Sequence, residues 1–159
     1  FIYLNKTAFN GLYRVNKKNR FNAPFGRYKK PNICDERNLL ACHEALQTVE
    51  ILHGCFDYSS KSAKAGDFVY FDPPYVPVST SSSFTSYTKD GFGSLEQVLL
   101  RDHALRLKRK GVHVMLSNAE HDFVRELYQD DFNMSSILVG RAINCKGKKR
   151  GSVGEVVIT

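Results

Sequence analysis

Val69-Tyr70-Phe71-Asp72-Pro73-Pro74-Tyr75 reads as an apolar strand that stops at a carboxylate, two prolines and an aromatic ring. Val69, Tyr70 and Phe71 are strand formers. Pro73 and Pro74 lack the backbone donor that a central strand needs, so the strand ends before them. Asp72 is thereby delivered to the C-terminal end of a strand, where open α/β sheets bind their ligands. The prolines stiffen the loop, which presents one carboxylate, free carbonyl acceptors and one flat ring. The same residues would also make an ordinary strand end followed by a Pro-Pro turn.

That set suits a planar group carrying an exocyclic amine. The amine of adenine is a poor nucleophile because its lone pair is delocalised into the ring. Two acceptors on its hydrogens, Asp72 and the carbonyl of Pro73, would draw the nitrogen toward a tetrahedral geometry and free the lone pair. Tyr75 would stack on the base, which matters only for a base taken out of its helix.

Working outward, the chain has 159 residues, enough for a domain with a real core. No apolar run is long enough to span a membrane, and no signal peptide is present. Cys34, Cys42, Cys55 and Cys145 form no C-x-x-C pair and have no histidines at zinc spacing, so no metal site is expected. They read as reduced packing residues of a cytoplasmic protein. The net charge is +7. Lys6, Arg14, Lys17, Lys18, Arg20, Arg27, Lys29 and Lys30 fall within residues 1–30, which hold no Asp or Glu. The remainder sets 15 basic against 16 acidic residues, so the positive excess lies wholly in that first segment. Phe1, Tyr3, Phe9, Tyr13, Phe21, Phe25 and Tyr28 are interleaved with it. Basic residues mixed with aromatics form a nucleic-acid footprint. A solvated basic surface around a small aromatic core is the alternative.

Two domains are expected, residues 1–31 and 32–159. Asn10-Gly11 is a turn signal, and residues 16–19 form a polar turn between Leu12-Tyr13-Arg14-Val15 and Phe21. A β-hairpin across residues 12–24 follows, its turn carrying Lys17 and Lys18. Residues 38–49 have helical spacing, with His43 on the helix surface or against a neighbouring element. Residues 49–52 read as a short strand. Residues 68–72 form the strand quoted above. The Ser/Thr-rich stretch 77–88 looks like a linker in isolation; after such a strand it looks like a loop that orders over substrate. Residues 95–110 form a strong helix with Ser94 as N-cap, and Arg106, Lys108, Arg109 and Lys110 suit its C-terminal dipole. Residues 112–116 are a second apolar strand, ending in Ser117-Asn118. Residues 120–128 are helical, 132–139 and 155–158 are strands, and 146–150 form a basic loop. This alternation predicts a mostly parallel α/β sheet with helices on its faces. The last two strands, joined without a helix, predict an antiparallel edge.

These pieces resemble the Dam-type DNA adenine methyltransferases. Asn10-Gly11-Leu12-Tyr13-Arg14 and Phe21-Asn22-Ala23-Pro24-Phe25-Gly26-Arg27-Tyr28 look like that family's DNA-recognition segment. Asp72-Pro73-Pro74-Tyr75-Val76-Pro77-Val78-Ser79, then Ser83-Phe84-Thr85 and Tyr87, look like its catalytic loop. Val114-Met115-Leu116-Ser117-Asn118 matches the next strand end, and Arg141-Ala142-Ile143-Asn144 and Lys149-Arg150 match the C-terminal part. The pieces cover nearly all of the chain in the family's order.

The resemblance implies a Rossmann-like, S-adenosylmethionine-dependent methyltransferase sheet with an inserted β-hairpin that recognises duplex DNA. It implies a catalytic role for Asp72, Pro73, Pro74 and Tyr75. Cys55 and Phe56, with Asp72, fall on strand ends that border the cofactor. Phe9 falls where the family inserts an aromatic side chain into the base stack. Asn10 and Leu12 fall on neighbouring recognition positions, and Arg14 on the arginine that reads a guanine. Arg27 and Ser79 fall on phosphate contacts, which set register. Lys17, Lys18 and Pro24 belong to the same DNA-facing hairpin. The implied site is GATC.

The departure is at the front. The family carries its glycine-rich cofactor turn and an N-terminal lysine segment upstream of the hairpin, and no glycine-rich nest follows an apolar strand here. The chain therefore looks like the C-terminal portion of such an enzyme, with N-terminal strands of the sheet absent and a missing N-terminal half as a partner. An exposed central edge beside strand 68–72 is then expected. Two other functions stay open: a DNA-binding fragment without activity, and methylation of another planar amine such as a glutamine or an RNA base.

Overall fold

The computed structural model describes residues 1–16, 18–76, 92–140 and 152–159. They form two compact units, Phe1–Ile51 and Leu52–Thr159.

The first unit opens with helix α1 (Ile2–Thr7) and a 3-10 turn at Phe9–Gly11. Asn10 and Gly11 both take positive φ there, 53° and 65°, the conformation that favours Asn and Gly. The chain then reverses. The Asn16 side chain accepts from the N–H groups of Lys18 and Arg20 at 2.9 and 3.1 Å, so an Asx-type turn makes the reversal. The expected β-hairpin is present only as isolated antiparallel bridges, Val15 with Phe21 and Ala8 with Phe25. Its sides are too irregular to pair as strands. Helix α2 (Glu36–Ala45) follows, capped by the Asp35 carboxylate on the Asn38 N–H, and runs into a 3-10 turn at Leu46–Thr48. No residue of α2 is buried, and His43 is on its surface. The strand expected at residues 49–52 is absent. Val49, Ile51 and Leu52 are exposed, so a β-branched run without a neighbouring strand stays extended but unpaired.

The second unit is a βαβ unit extended by two antiparallel strands. Its elements are α3 (Phe56–Ser59), β1 (Phe68–Phe71), α4 (Ser94–Arg109), β2 (His113–Ala119), α5 (Asp122–Tyr128), β3 (Met134–Gly140) and β4 (Ser152–Ile158). The sheet order is β1-β2-β4-β3. β1 and β2 are parallel, Phe71 opposite Leu116. β4 runs antiparallel to both β2 and β3. The expected antiparallel pair is therefore present, with β4 inside the sheet and β3 at its edge. Among the described strands one pairing of three is parallel, against the mostly parallel expectation.

Period-two burial builds the core on one face of the sheet: Phe71 of β1, Val114 and Leu116 of β2, Val156 and Ile158 of β4. Leu100, Ala104 and Leu107 of α4 and Val124 and Tyr128 of α5 join this cluster. Buried positions 97, 100, 103, 104 and 107 mark the inward stripe of α4. The N-cap of α4 is Gly93, one residue before the expected Ser94; the Glu96 carboxylate accepts from the Gly93 N–H at 2.8 Å. Among the described residues β1 pairs with one strand, β2, and Phe68 and Tyr70 are exposed on its outer face. Cys34, Cys42 and Cys55 are free, as expected, but exposed, so they are not the packing residues the sequence suggested; Cys145 lies outside the described residues. Among the described residues there is no acid, His or Cys cluster able to hold a metal ion, and no helix long and apolar enough to cross a membrane.

Candidate active site and nucleic-acid interface

In the second unit the polar groups gather at the C-terminal ends of β1 and β2. Asp72 follows β1 and is exposed. Ser117 of β2 donates to its Oδ1 at 2.9 Å, and the Tyr70 hydroxyl donates to Ser117 Oγ at 2.8 Å. Parallel pairing of Phe71 with Leu116 creates this proximity, because Asp72 and Ser117 each come one residue later.

The proline loop is braced from beneath. Gln97 of α4 donates to the Pro74 carbonyl at 2.9 Å, and Asn118 of β2 donates to Gln97 Oε1 at 3.0 Å. Asn118 Oδ1 accepts from the N–H groups of Val76 (3.2 Å) and Ala119 (2.8 Å). Gln97 and Asn118 are buried, so each amide must find partners inside the protein. Among the described residues no donor meets the Pro73 carbonyl, which stays available. Tyr75 is half-buried with its hydroxyl 3.4 Å from Glu155 Oε2. Burial pushes its pKa up to about 12; the Ser117 hydroxyl opposes that, and the Glu155 and Asp72 carboxylates add to it. The phenol is therefore neutral, with its hydroxyl directed toward Glu155.

An open groove of about 620 Å³ runs along β1, lined by Phe56, Ser60, Ala63, Val69, Phe71 and Asp72 among others. Phe56 is held edge-on by Phe71 and Phe92, both at 6.5 Å between ring centroids. Ser60, one turn on, donates to the Phe56 carbonyl and lies 2.7 Å from His103 Nε2. Arg106, which can only donate, faces His103 Nδ1 at 3.3 Å. His103 is therefore the Nε2–H tautomer. Burial and then Arg106 lower its pKa, with Asp57 opposing. Cys55 caps α3 and does not line the groove.

The first unit has its own functional-looking surface. Phe9 is exposed, and its N–H bonds the Pro24 carbonyl at 2.8 Å. Asn10 and Leu12 are half-buried beside it, while Arg14, Lys18, Pro24 and Arg27 are exposed. Asn22 holds Arg14 through Nε at 2.9 Å and Nη2 at 3.0 Å. The outer edge of the guanidinium, with one hydrogen on each terminal nitrogen, stays free for a bidentate contact. Tyr13 lies between Phe1 and Phe21, with ring centroids 5.2 and 5.5 Å away and both pairs tilted at 48°. Lys17 and Ser79 lie outside the described residues, as do the 77–88 and 146–150 loops.

Residues 1–143 match the family described as D12 class N6 adenine-specific DNA methyltransferase. The chain belongs to this family. A type II methyltransferase of Lactococcus lactis subsp. cremoris, M1.LlaDCHI, is 47% identical over 99% of this chain and 56% of its own length. Another, M.MjaIII of Methanocaldococcus jannaschii, is 50% identical over 94% of this chain and 52% of its own. The DNA adenine methylase of Escherichia coli K12 is 36% identical over 99% and 56%. The chain thus spans about half the length of the curated relatives it matches. The sequence singled out Asp72 and Tyr75 but not the side chains that the structure sets around their loop, Tyr70, Gln97, Ser117, Asn118 and Glu155. The available signal was Ser117-Asn118, a polar pair closing an apolar strand.

Proposed function

We propose that this chain is the recognition and catalytic portion of a cytoplasmic enzyme that methylates adenine N6 in duplex DNA from S-adenosylmethionine, with GATC as its site. The observation that carries the reading is the braced loop: an exposed carboxylate and a Pro73 carbonyl that meets no donor among the described residues, beside a half-buried aromatic ring. Asp72 Oδ2 and the Pro73 carbonyl accept the two amine hydrogens, and Tyr75 presents its face to the flipped base. Charge developing on the amine is stabilised by the Asp72 carboxylate. The groove beside β1 suits an adenosyl group, having an aromatic wall at Phe56 and a carboxylate at Asp72. The cofactor, bordered by Phe56 and Asp72, would supply an electrophilic methyl group, and Asp72 and the Pro73 carbonyl would hold the two hydrogens of the amine that meets it.

Residues 1–31 are the DNA-recognition segment in this reading, and 32–159 the C-terminal part of a Rossmann-like catalytic domain. Phe9 enters the base stack, Asn10 and Leu12 flank it, and Arg14 reads a guanine. Lys17, Lys18, Pro24, Arg27 and Ser79 lie along the backbone. The flank of β1 that pairs with no strand among the described residues supports a cofactor-binding part with further strands as the partner that completes the sheet. The test is methyl transfer from labelled S-adenosylmethionine to duplexes with and without GATC, using this chain alone and mixed with the N-terminal half of a relative. Label on GATC only in the mixture supports the proposal. Retained DNA binding without label in either favours a binding module.

A further inference from the structure

We propose that Ser117, with its proton directed by Tyr70, is the positioning residue that presents Asp72 to the substrate amine. The inference rests on the methyl-transfer reading and names what orients its central carboxylate.

The direction of every hydrogen bond in this chain of groups is fixed by counting protons. The Asp72 carboxylate only accepts, so Ser117 must donate to Oδ1. Ser117 has one proton and has spent it there, so the Tyr70 hydroxyl must donate to Ser117 Oγ. An exposed aspartate at a strand end would otherwise turn about its terminal torsion, which is broad. With Oδ1 occupied from the β2 side, Oδ2 is the oxygen that meets no donor among the described residues and faces an incoming one. Ser117 is 7% exposed and Tyr70 is half exposed, so the donor is sheltered while the acceptor is open. Asp72 thus sits where substrate can reach it, with its orientation settled beforehand. Preorganised groups cost no rearrangement at the moment of reaction.

A serine that merely satisfies itself at a strand end would share these contacts, and the test separates the two roles. In the protein completed by its cofactor-binding part, Ser117→Ala lowers kcat about ten- to a hundredfold, as expected for a lost bond to a charged group. KM for DNA changes by less than about twofold, because the DNA-facing residues are untouched. Ser117→Thr keeps the hydroxyl and restores most of kcat. Tyr70→Phe keeps the ring and lowers kcat by about three- to tenfold. Full kcat in Ser117→Ala, or no rescue by threonine, overturns the proposal. A second readout needs no activity: the Asp72 side-chain carboxyl resonance in carbon-13-labelled protein. It moves in Ser117→Ala and also in Tyr70→Phe, two hydrogen bonds away, and stays in place in the distant control Leu138→Ser. A resonance unmoved by Tyr70→Phe overturns the ordered chain whatever the activity. If the resonance moves as expected but the parent protein labels no DNA, the methyl-transfer reading fails, and with it the assignment of Asp72 to a substrate amine.

Discussion

Replacing Asn118 by alanine should unlock the proline loop, and the cost can be worked bond by bond. Asn118 is fully buried and serves three groups: the Val76 N–H, the Ala119 N–H and Gln97 Oε1. The substitution leaves all three without that partner. At about 1 kcal/mol net per buried hydrogen bond, the loss is about 3 kcal/mol, less whatever local relaxation recovers. Asn118→Asp is the sharper variant. It keeps an oxygen for the two backbone donors but turns a second oxygen toward Gln97 Oε1. Gln97 could face it only by rotating its amide, which would take its donor away from the Pro74 carbonyl. Urea unfolding of each variant, read as a shift in midpoint at constant slope, gives the stability change. Both variants should fall by more than about 1.5 kcal/mol, which is half of the three-bond sum. An Asn118→Asp protein as stable as the parent would refute the proposed bonding order, because it would mean that Gln97 does not depend on the amide.

Arg14→Ala should cost about 1–3 kcal/mol of discrimination at one base pair, measured as relative binding to matched and substituted duplexes. Equal weakening on all sequences would remove Arg14 from base reading. Lys17→Ala should lower the slope of binding against salt by about one without altering site preference; an altered preference would take it out of the phosphate-contact set. His103 has a pKa lowered from 6.5 in the folded protein by burial and Arg106, against the opposing pull of Asp57. The unfolded chain binds that proton more readily, so the histidine's contribution is full above about pH 6.5 and is lost as pH falls below it. Urea midpoints of the parent should drop from about pH 7 to about pH 5.5 more steeply than those of His103→Gln. Parallel curves would exclude His103 as the source.

Much of the second unit was legible because its signals are local. The apolar run before Asp72 ended where the prolines removed the donors, and the inward stripe of α4 follows the 3.6 period through Leu100, Ala104 and Leu107. What failed depended on partners far along the chain. Val49, Ile51 and Leu52 have strand propensity but no neighbouring strand, so they pair with nothing. The antiparallel pairing of β3 and β4 could be foreseen because no helical pattern separates them in sequence. The insertion of β4 between β2 and β3 could not, because strand order leaves no trace in periodicity. The candidate site divides in the same way. Asp72 and Tyr75 announced themselves by their neighbours in sequence, whereas Ser117 acts across 45 residues and Gln97 reaches the Pro74 carbonyl across 23.

The place of β4 bears on how the molecule is made. On a ribosome the chain emerges in order, so β1, α4 and β2 are available as a unit well before β4 exists. During that interval β2 and β3, among the described strands, are not yet joined, since β4, which pairs with both, comes after them in the chain. Glu155, which receives the Tyr75 hydroxyl, arrives with it. β4 therefore works as a keystone: a nascent chain holds Asp72 and Ser117 together before it can tether Tyr75, and a break within β4 would release β3 and the tyrosine at once.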